Sequence, residues 1–149
     1  ALYMEQELGA DEMGQYFSPS SISRLMAGLL MPGAQETIKR EGWITLDEPA
    51  CGSAGMVIAF AYWLAEAGYN PSEQLYATCT DIDPMVADIA FIQLALLGIP
   101  AKVVTGNTLT LKANRVRYTP VYYFNDWQGR LVFRSRLDAM KNFLATVAA

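Results

Sequence analysis

Histidine is absent from this chain of 149 residues, and cysteine occurs only twice, at Cys51 and Cys79. The first absence removes serine–histidine and cysteine–histidine nucleophilic catalysis, histidine general bases and most zinc sites. Two thiols are too few for a disulfide scaffold or a four-thiolate metal centre, so no metal site is expected and the thiols read as reduced, in the cytoplasm. Long apolar runs are also lacking. The longest charge-free stretch, Pro49 to Ala65, opens with Pro-Ala-Cys-Gly-Ser and falls short of the ~20 apolar residues a spanning helix needs. Charged residues make up only 17% of the chain, against 52% hydrophobic and 11% aromatic. That balance excludes a disordered chain and suits one packed domain over residues 1–149. The first residue is Ala1, and Ala1 to Leu8 already reads as helix. A fragment lacking an upstream N-terminal segment is therefore expected.

Positive charge is scarce in the first three quarters of the chain. Residues 1–111 hold 4 basic and 13 acidic side chains, whereas residues 112–149 hold 7 basic and 2 acidic ones, for a net charge of -4. The basic segment from Lys112 to Lys141 is a candidate contact for DNA phosphates, an attraction independent of sequence. Its alternative is a set of solvated strand and helix faces.

Ser18-Pro19 reads as a helix start, a hydroxyl cap with proline in the first turn. The spacing of Ile22, Leu25, Met26, Leu29 and Leu30 continues that helix to a stop near Pro32-Gly33. Short apolar runs then alternate with helices: strand Trp43 to Leu46, helix Ala54 to Ala67, strand Gln74 to Thr80, helix Pro84 to Leu97 and strand Ala101 to Thr105. This order predicts a parallel α/β sheet. Both helices are apolar almost all round, so their outer faces need cover. Beyond Leu111 the pattern predicts a β-hairpin, Tyr118 to Phe124 and Leu131 to Ser135, turning at Asn125 to Gly129. A closing helix from Arg136 to Ala148 completes the chain.

Three loops would lie at the carboxyl ends of consecutive strands, where open α/β sheets bind ligands. In the first, Glu48-Pro49-Ala50-Cys51-Gly52-Ser53-Ala54-Gly55, small residues allow close backbone approach and the following helix offers free N–H groups. A nucleotide-like ligand and a tight packing turn both suit it. In the second, Thr80-Asp81-Ile82-Asp83-Pro84, Asp81 stands where a carboxylate can take both ribose hydroxyls. Asp83 reads as the helix cap, and Ile82 as an adenine contact or core. In the third, Gly106-Asn107-Thr108, Asn107 offers both a donor and an acceptor, or turns a loop.

Together these residues carry a resemblance. Gly14-Gln15-Tyr16-Phe17-Ser18-Pro19 resembles the Gly-Gln-Phe-Phe-Thr-Pro motif of the N6-adenine DNA methyltransferases, in particular type I restriction–modification subunits and related phage and plasmid proteins. The Glu48 to Gly55 loop resembles their Asp/Glu-Pro-Ala-Cys-Gly-Ser-Gly-Gly loop. The likeness covers roughly residues 14 to 110. It implies a Rossmann-like class I methyltransferase core, three-layered with a mostly parallel sheet, here shortened and closed by the C-terminal hairpin and helix. The implied cofactor is S-adenosyl-L-methionine (SAM). Tyr16, Phe17, Ser18 and Pro19 would meet its methionine end. Glu48, with Pro49, Ala50, Cys51 and Gly52, would hold the amine and sugar region. Asp81 would take the ribose, Ile82 the adenine face and Asn107 the adenine edge.

The chain departs from the family pattern in three places. Ala54 replaces a usual glycine, and Asn107 stands where aspartate is common. The Asn/Asp-Pro-Pro-Tyr/Phe loop that holds the flipped-out target adenine has no counterpart, since no two prolines are adjacent. Asn125, Asp126 and Trp127 are the weak substitutes, on a predicted turn. The resemblance thus implies a DNA adenine-N6 methyltransferase of restriction–modification type, with DNA and a partner subunit or second copy as partners. Its alternatives are a catalytically degenerate SAM-, DNA- or partner-binding domain and a methyltransferase acting on small molecules or proteins.

Overall fold

In the computed structural model of the chain, residues 20–149 are described. The expected helix at Ala1 to Leu8, the Ser18-Pro19 start and the candidate residues Tyr16, Phe17, Ser18 and Pro19 lie outside them. The elements run α1 (Ser20–Glu41), β1 (Ile44–Glu48), α2 (Gly55–Glu66), α3 (Pro71–Gln74), β2 (Leu75–Asp81), α4 (Pro84–Leu96), β3 (Ala101–Asn107), β4 (Lys112–Tyr118), α5 (Pro120–Phe124) and α6 (Trp127–Ala148).

The four strands form one sheet in the order β1-β2-β3-β4. The β1–β2 and β2–β3 pairs are parallel, with Glu48 opposite Cys79 and Asp81 opposite Thr105. Parallel neighbours require crossovers, and the apolar helices α2 and α4 supply them. Both pack on one face, where Val57, Phe60, Leu64, Ala87, Ala90 and Leu94 meet Leu75, Ala77, Cys79, Ala101 and Val103 from the sheet. One side of α2 is covered by α1, whose Ala27, Met31, Ala34 and Ile38 join the same core. Trp63 Nε1 ties the two helices by donating to Arg24 O at 2.9 Å.

That packing corrects the expected stop at Pro32-Gly33. The helix α1 runs through Pro32 to Glu41, although an internal proline forfeits a hydrogen bond and costs about 3 kcal/mol. Continuing it places Ala34 and Ile38 on the buried stripe begun by Ala27 and Met31, at the 4-3-4 spacing of one helix face. Burying both side chains offsets the break.

The expected hairpin at Tyr118 to Phe124 and Leu131 to Ser135 is also corrected. The hairpin is β3–β4, antiparallel and one element earlier, with Val104 opposite Val116 and Lys102 opposite Tyr118. Its register shifts between Thr105 and Gly106, where a Cβ on Gly106 would come within 2.3 Å of Lys112 O. Pro120 sits in the first turn of α5, and residues 127–148 form one continuous helix. Aromatic packing decides this. Tyr118, Tyr122 and Trp127 close over Tyr76 and Trp43 on the second face of the sheet, with Trp43 edge-on to Trp127 at 5.1 Å and Tyr76 stacked on it at 5.7 Å. Thr119, fully buried, locks the turn: its Oγ1 donates to Ile99 O at 2.7 Å and accepts from Ala101 N at 2.9 Å.

Candidate functional site

The first loop begins where β1 ends. Gly52 (φ 55°) and Ala54 (φ 71°) both adopt left-handed backbone, a conformation that costs an L-residue such as alanine roughly 1–2 kcal/mol. Ala54 is therefore strained where the family pattern has glycine. The loop is held from several sides. Cys51 N donates to Thr80 O at 2.9 Å and Ala54 N to Cys51 O at 2.9 Å, while Gln93 Nε2 of α4 donates to Ser53 O at 2.7 Å.

Asp81 closes the second loop onto the first. Its Oδ2 accepts from Gly52 N and its Oδ1 from Asp83 N, each at 3.0 Å. Asp83 is the cap of α4, accepting from Met85 N at 2.9 Å and Val86 N at 3.4 Å, as the Asp-Pro pattern predicts. Ile82 is 65% exposed, so its core alternative is removed. It stands as an apolar side chain held out beside Asp81.

The third loop leans on the first. Thr108 Oγ1 donates to Pro49 O at 2.7 Å across 59 residues of chain. Asn107 Oδ1 accepts from Leu109 N at 2.9 Å and Thr110 N at 3.3 Å. Its acceptor is thus spent on the turn, and its Nδ2 is the group it can offer a ligand. Beside it lies an open cavity of about 180 Å³ lined by Thr80, Val104, Asn107, Thr108, Leu111 and Lys112.

Burial raises the Glu48 carboxyl above its ordinary range, a shift opposed by a hydrogen bond from the Ala50 backbone and aided by the Asp47 charge. A cation placed there would reverse that shift. Cys51 and Cys79 are free and buried. The Cys79 thiol is pushed up by its hydrogen bond with Cys51 and by burial, which marks an inert thiol rather than a nucleophile.

The structure thus brings Glu48, Pro49, Ala50, Cys51, Gly52, Asp81, Ile82 and Asn107 to one end of the sheet. It leaves Asn125, Asp126 and Trp127 at the other. Asn125 Nδ2 and Trp127 Nε1 each donate to Ser72 O at 3.0 Å, ahead of the start of β2. Asp126 caps α6 by accepting from Gly129 N at 3.2 Å. Asn125 and Trp127 are thus spent on tying the α5–α6 turn to α3, and Asp126 on the start of α6. Four arginines of the basic segment are paired within the chain. Arg115 and Arg117 pair with Asp88, Arg130 with Glu73 and Arg134 with Glu41. Arg130 and Arg134 also stack over Trp127 and Trp43, at 3.8 and 3.6 Å. Sequence reasoning missed Gln93 and Thr108 as loop supports. A signal for Gln93 was present, since it and Asp88 are the two polar side chains in an otherwise apolar α4.

Three loops at the carboxyl ends of parallel strands, an acidic residue ending β2 and glycine-containing backbone ahead of α2 define a Rossmann-like ligand-binding half. Comparison with known proteins sharpens the class. A solved structure from Listeria monocytogenes, assigned to the class I S-adenosylmethionine-dependent methyltransferases, matches with a TM-score of 0.56 at 20% identity, over 72% of this chain and 31% of that one. The fold is therefore that of a class I methyltransferase, and this chain spans about a third of that relative's length. No curated protein matches the chain. The model of the N-6 DNA methylase family matches residues 3–123, and the chain belongs to that family.

Proposed function

We propose that this chain is the cofactor-binding portion of a SAM-dependent DNA adenine-N6 methyltransferase, in a cytoplasmic restriction–modification setting. The observation that carries the reading is the mutual clamping of the three loops, with Asp81 bound to Gly52 N and Thr108 bound to Pro49 O. Such clamps preorganise a site, so that little ordering remains to be done on binding. When bound, SAM supplies an electrophilic methyl group on sulfur. The donor set suits such a molecule: Glu48 is a half-buried carboxylate for an ammonium group, Asp81 an acceptor for ribose hydroxyls, and the exposed Ile82 an apolar surface for a purine face. Asn107 Nδ2 can donate to a ring nitrogen. Tyr16, Phe17, Ser18 and Pro19 complete the methionine end in this reading. The chain's own contribution is then binding and orientation, which is how proximity lowers a transfer barrier without a histidine base.

A second reading is favoured by one observation: no adjacent prolines occur, and Asn125, Asp126 and Trp127 are bound up at the opposite end of the sheet. In that reading the chain binds the cofactor and the target-base loop comes from elsewhere or is lost. Incubation with tritiated SAM and mixed-sequence duplex DNA, followed by nucleoside analysis, tests the first reading through label in N6-methyladenine. Cofactor binding without label supports the second.

A further inference from the structure

Three buried side-chain polar atoms have no hydrogen-bond partner among the described residues: Thr105 Oγ1, Arg117 Nε and Arg117 Nη2. The strand register brings their owners together. Thr105 stands opposite Arg115 across the β3–β4 pair, and Arg117 stands opposite Val103, on the same face of the sheet. That face is the one packed against α4, where Arg117 lies over the Phe91 ring at 4.8 Å. Thr105 is only 3% exposed, so its unpaired hydroxyl carries its full desolvation cost. The charges are mismatched at the same place. Among the described residues, Asp88 is the one acid within ion-pair distance of Arg115 or Arg117. Arg115 Nη2 donates to Asp88 Oδ1, whereas Arg117 Nη2 lies 2.8 Å from that same oxygen without the alignment of a hydrogen bond.

We propose that this cluster binds a phosphate group, with Arg115 and Arg117 as charged donors and Thr105 Oγ1 as a neutral one. A phosphate offers several acceptor oxygens where Asp88 offers one, and a guanidinium fork engages them two at a time. An internal water would pair the hydroxyl and leave the two arginines sharing one carboxylate oxygen. The Arg115 and Asp88 side chains are 47% and 44% exposed, so this pair can open to admit the ligand while Phe91 holds Arg117 in place. The site lies one strand out from Asp81, whose oxygens are turned to Gly52 N and Asp83 N, and it does not depend on SAM. Its chemistry suits a free phosphate and a DNA phosphodiester alike.

Calorimetric titration of the full chain without SAM, using inorganic phosphate and separately a mixed-sequence DNA duplex, tests this. Saturable binding of inorganic phosphate is expected. Thr105→Val should weaken it about three- to tenfold while raising Tm, because an unpaired buried hydroxyl is removed. Arg117→Lys keeps the charge, loses the fork and should weaken binding at least about tenfold. Asp88→Asn removes the competing carboxylate and should tighten binding. Arg136→Gln, at an exposed position of α6, should leave it unchanged. Binding of the duplex alone, with the same order of variant effects, supports the site and assigns it to a phosphodiester. A folded chain that binds neither ligand overturns the proposal. Binding that ignores Thr105→Val and Asp88→Asn overturns it too, as does a lowered Tm for Thr105→Val, which would mean that the hydroxyl is already paired by water.

Discussion

Replacing Asp81 by alanine should damage the protein twice, and the two losses can be measured separately. The carboxylate accepts from two backbone amides, Gly52 N and Asp83 N, each at 3.0 Å. Hydrogen bonds to a charged group contribute about 1.5–3 kcal/mol each when buried, and this group is partly exposed. A combined loss of roughly 2–3 kcal/mol is expected, or a fall in Tm of roughly 6–10 °C for a chain of this size. The same oxygens are the proposed ribose acceptors, so SAM affinity should fall about ten- to a hundredfold, the equivalent of ~1–3 kcal/mol. Asp81→Asn keeps one acceptor and should fall between wild type and alanine on both scales. Thermal melts give the first quantity, and calorimetric titration well below the variants' Tm gives the second. Unchanged affinity in a destabilised Asp81→Ala variant would show that the carboxylate only clamps the loop, and the ribose assignment would be wrong.

Other outcomes follow from the same structure. Thr119→Val strips two hydrogen bonds from fully buried backbone groups and should cost about 2–4 kcal/mol in chemical denaturation; a loss below that range would mean that water replaces the hydroxyl. Ala54→Gly relieves left-handed strain of ~1–2 kcal/mol while losing one buried methyl worth ~0.8 kcal/mol, so the variant should be at least as stable as the parent. Ala59→Gly, inside α2, has no strain to relieve and should be clearly destabilising in the same assay. The raised Glu48 carboxyl binds a proton more readily folded than unfolded, so its contribution to stability falls as pH rises through the raised value. SAM affinity should run the opposite way, weakening as pH drops through that range, and titrations in two buffers of different ionisation enthalpy should reveal proton release on binding. Glu48→Gln should abolish that pH dependence. Gly106→Ala should disrupt the β3–β4 register, because the new methyl meets Lys112 O at 2.3 Å; an unshifted melting curve would contradict the close approach.

The βαβαβ core was legible because its signals are local and strong. Pro84 behind Asp83, Pro71 behind Asn70 and the apolar runs between them place elements without tertiary information. The loop residues Glu48 to Gly52, Asp81 and Asn107 follow from those elements, since strand ends determine where loops lie. Two features were not legible for the same physical reason. Pro32 is a strong local stop, overruled by the burial of Ala34 and Ile38 against α2 and the sheet. The Tyr118 to Phe124 run has strand-like composition but turns at Pro120 because Tyr122 and Trp127 pack on Tyr76 and Trp43, contacts distant in sequence. Gly129, a turn signal in the sequence, lies inside α6, where Asp126 reaches back to cap it. The secondary contacts of the site, Thr108 to Pro49 and Gln93 to Ser53, likewise join residues far apart and leave little local trace.

The most direct test of the account is calorimetric titration of the folded chain with SAM and S-adenosylhomocysteine. Saturable one-to-one binding of both, lost or strongly weakened in Asp81→Ala, is the predicted result. A chain that is folded by circular dichroism yet binds neither ligand would contradict the cofactor site, and with it the proposed function.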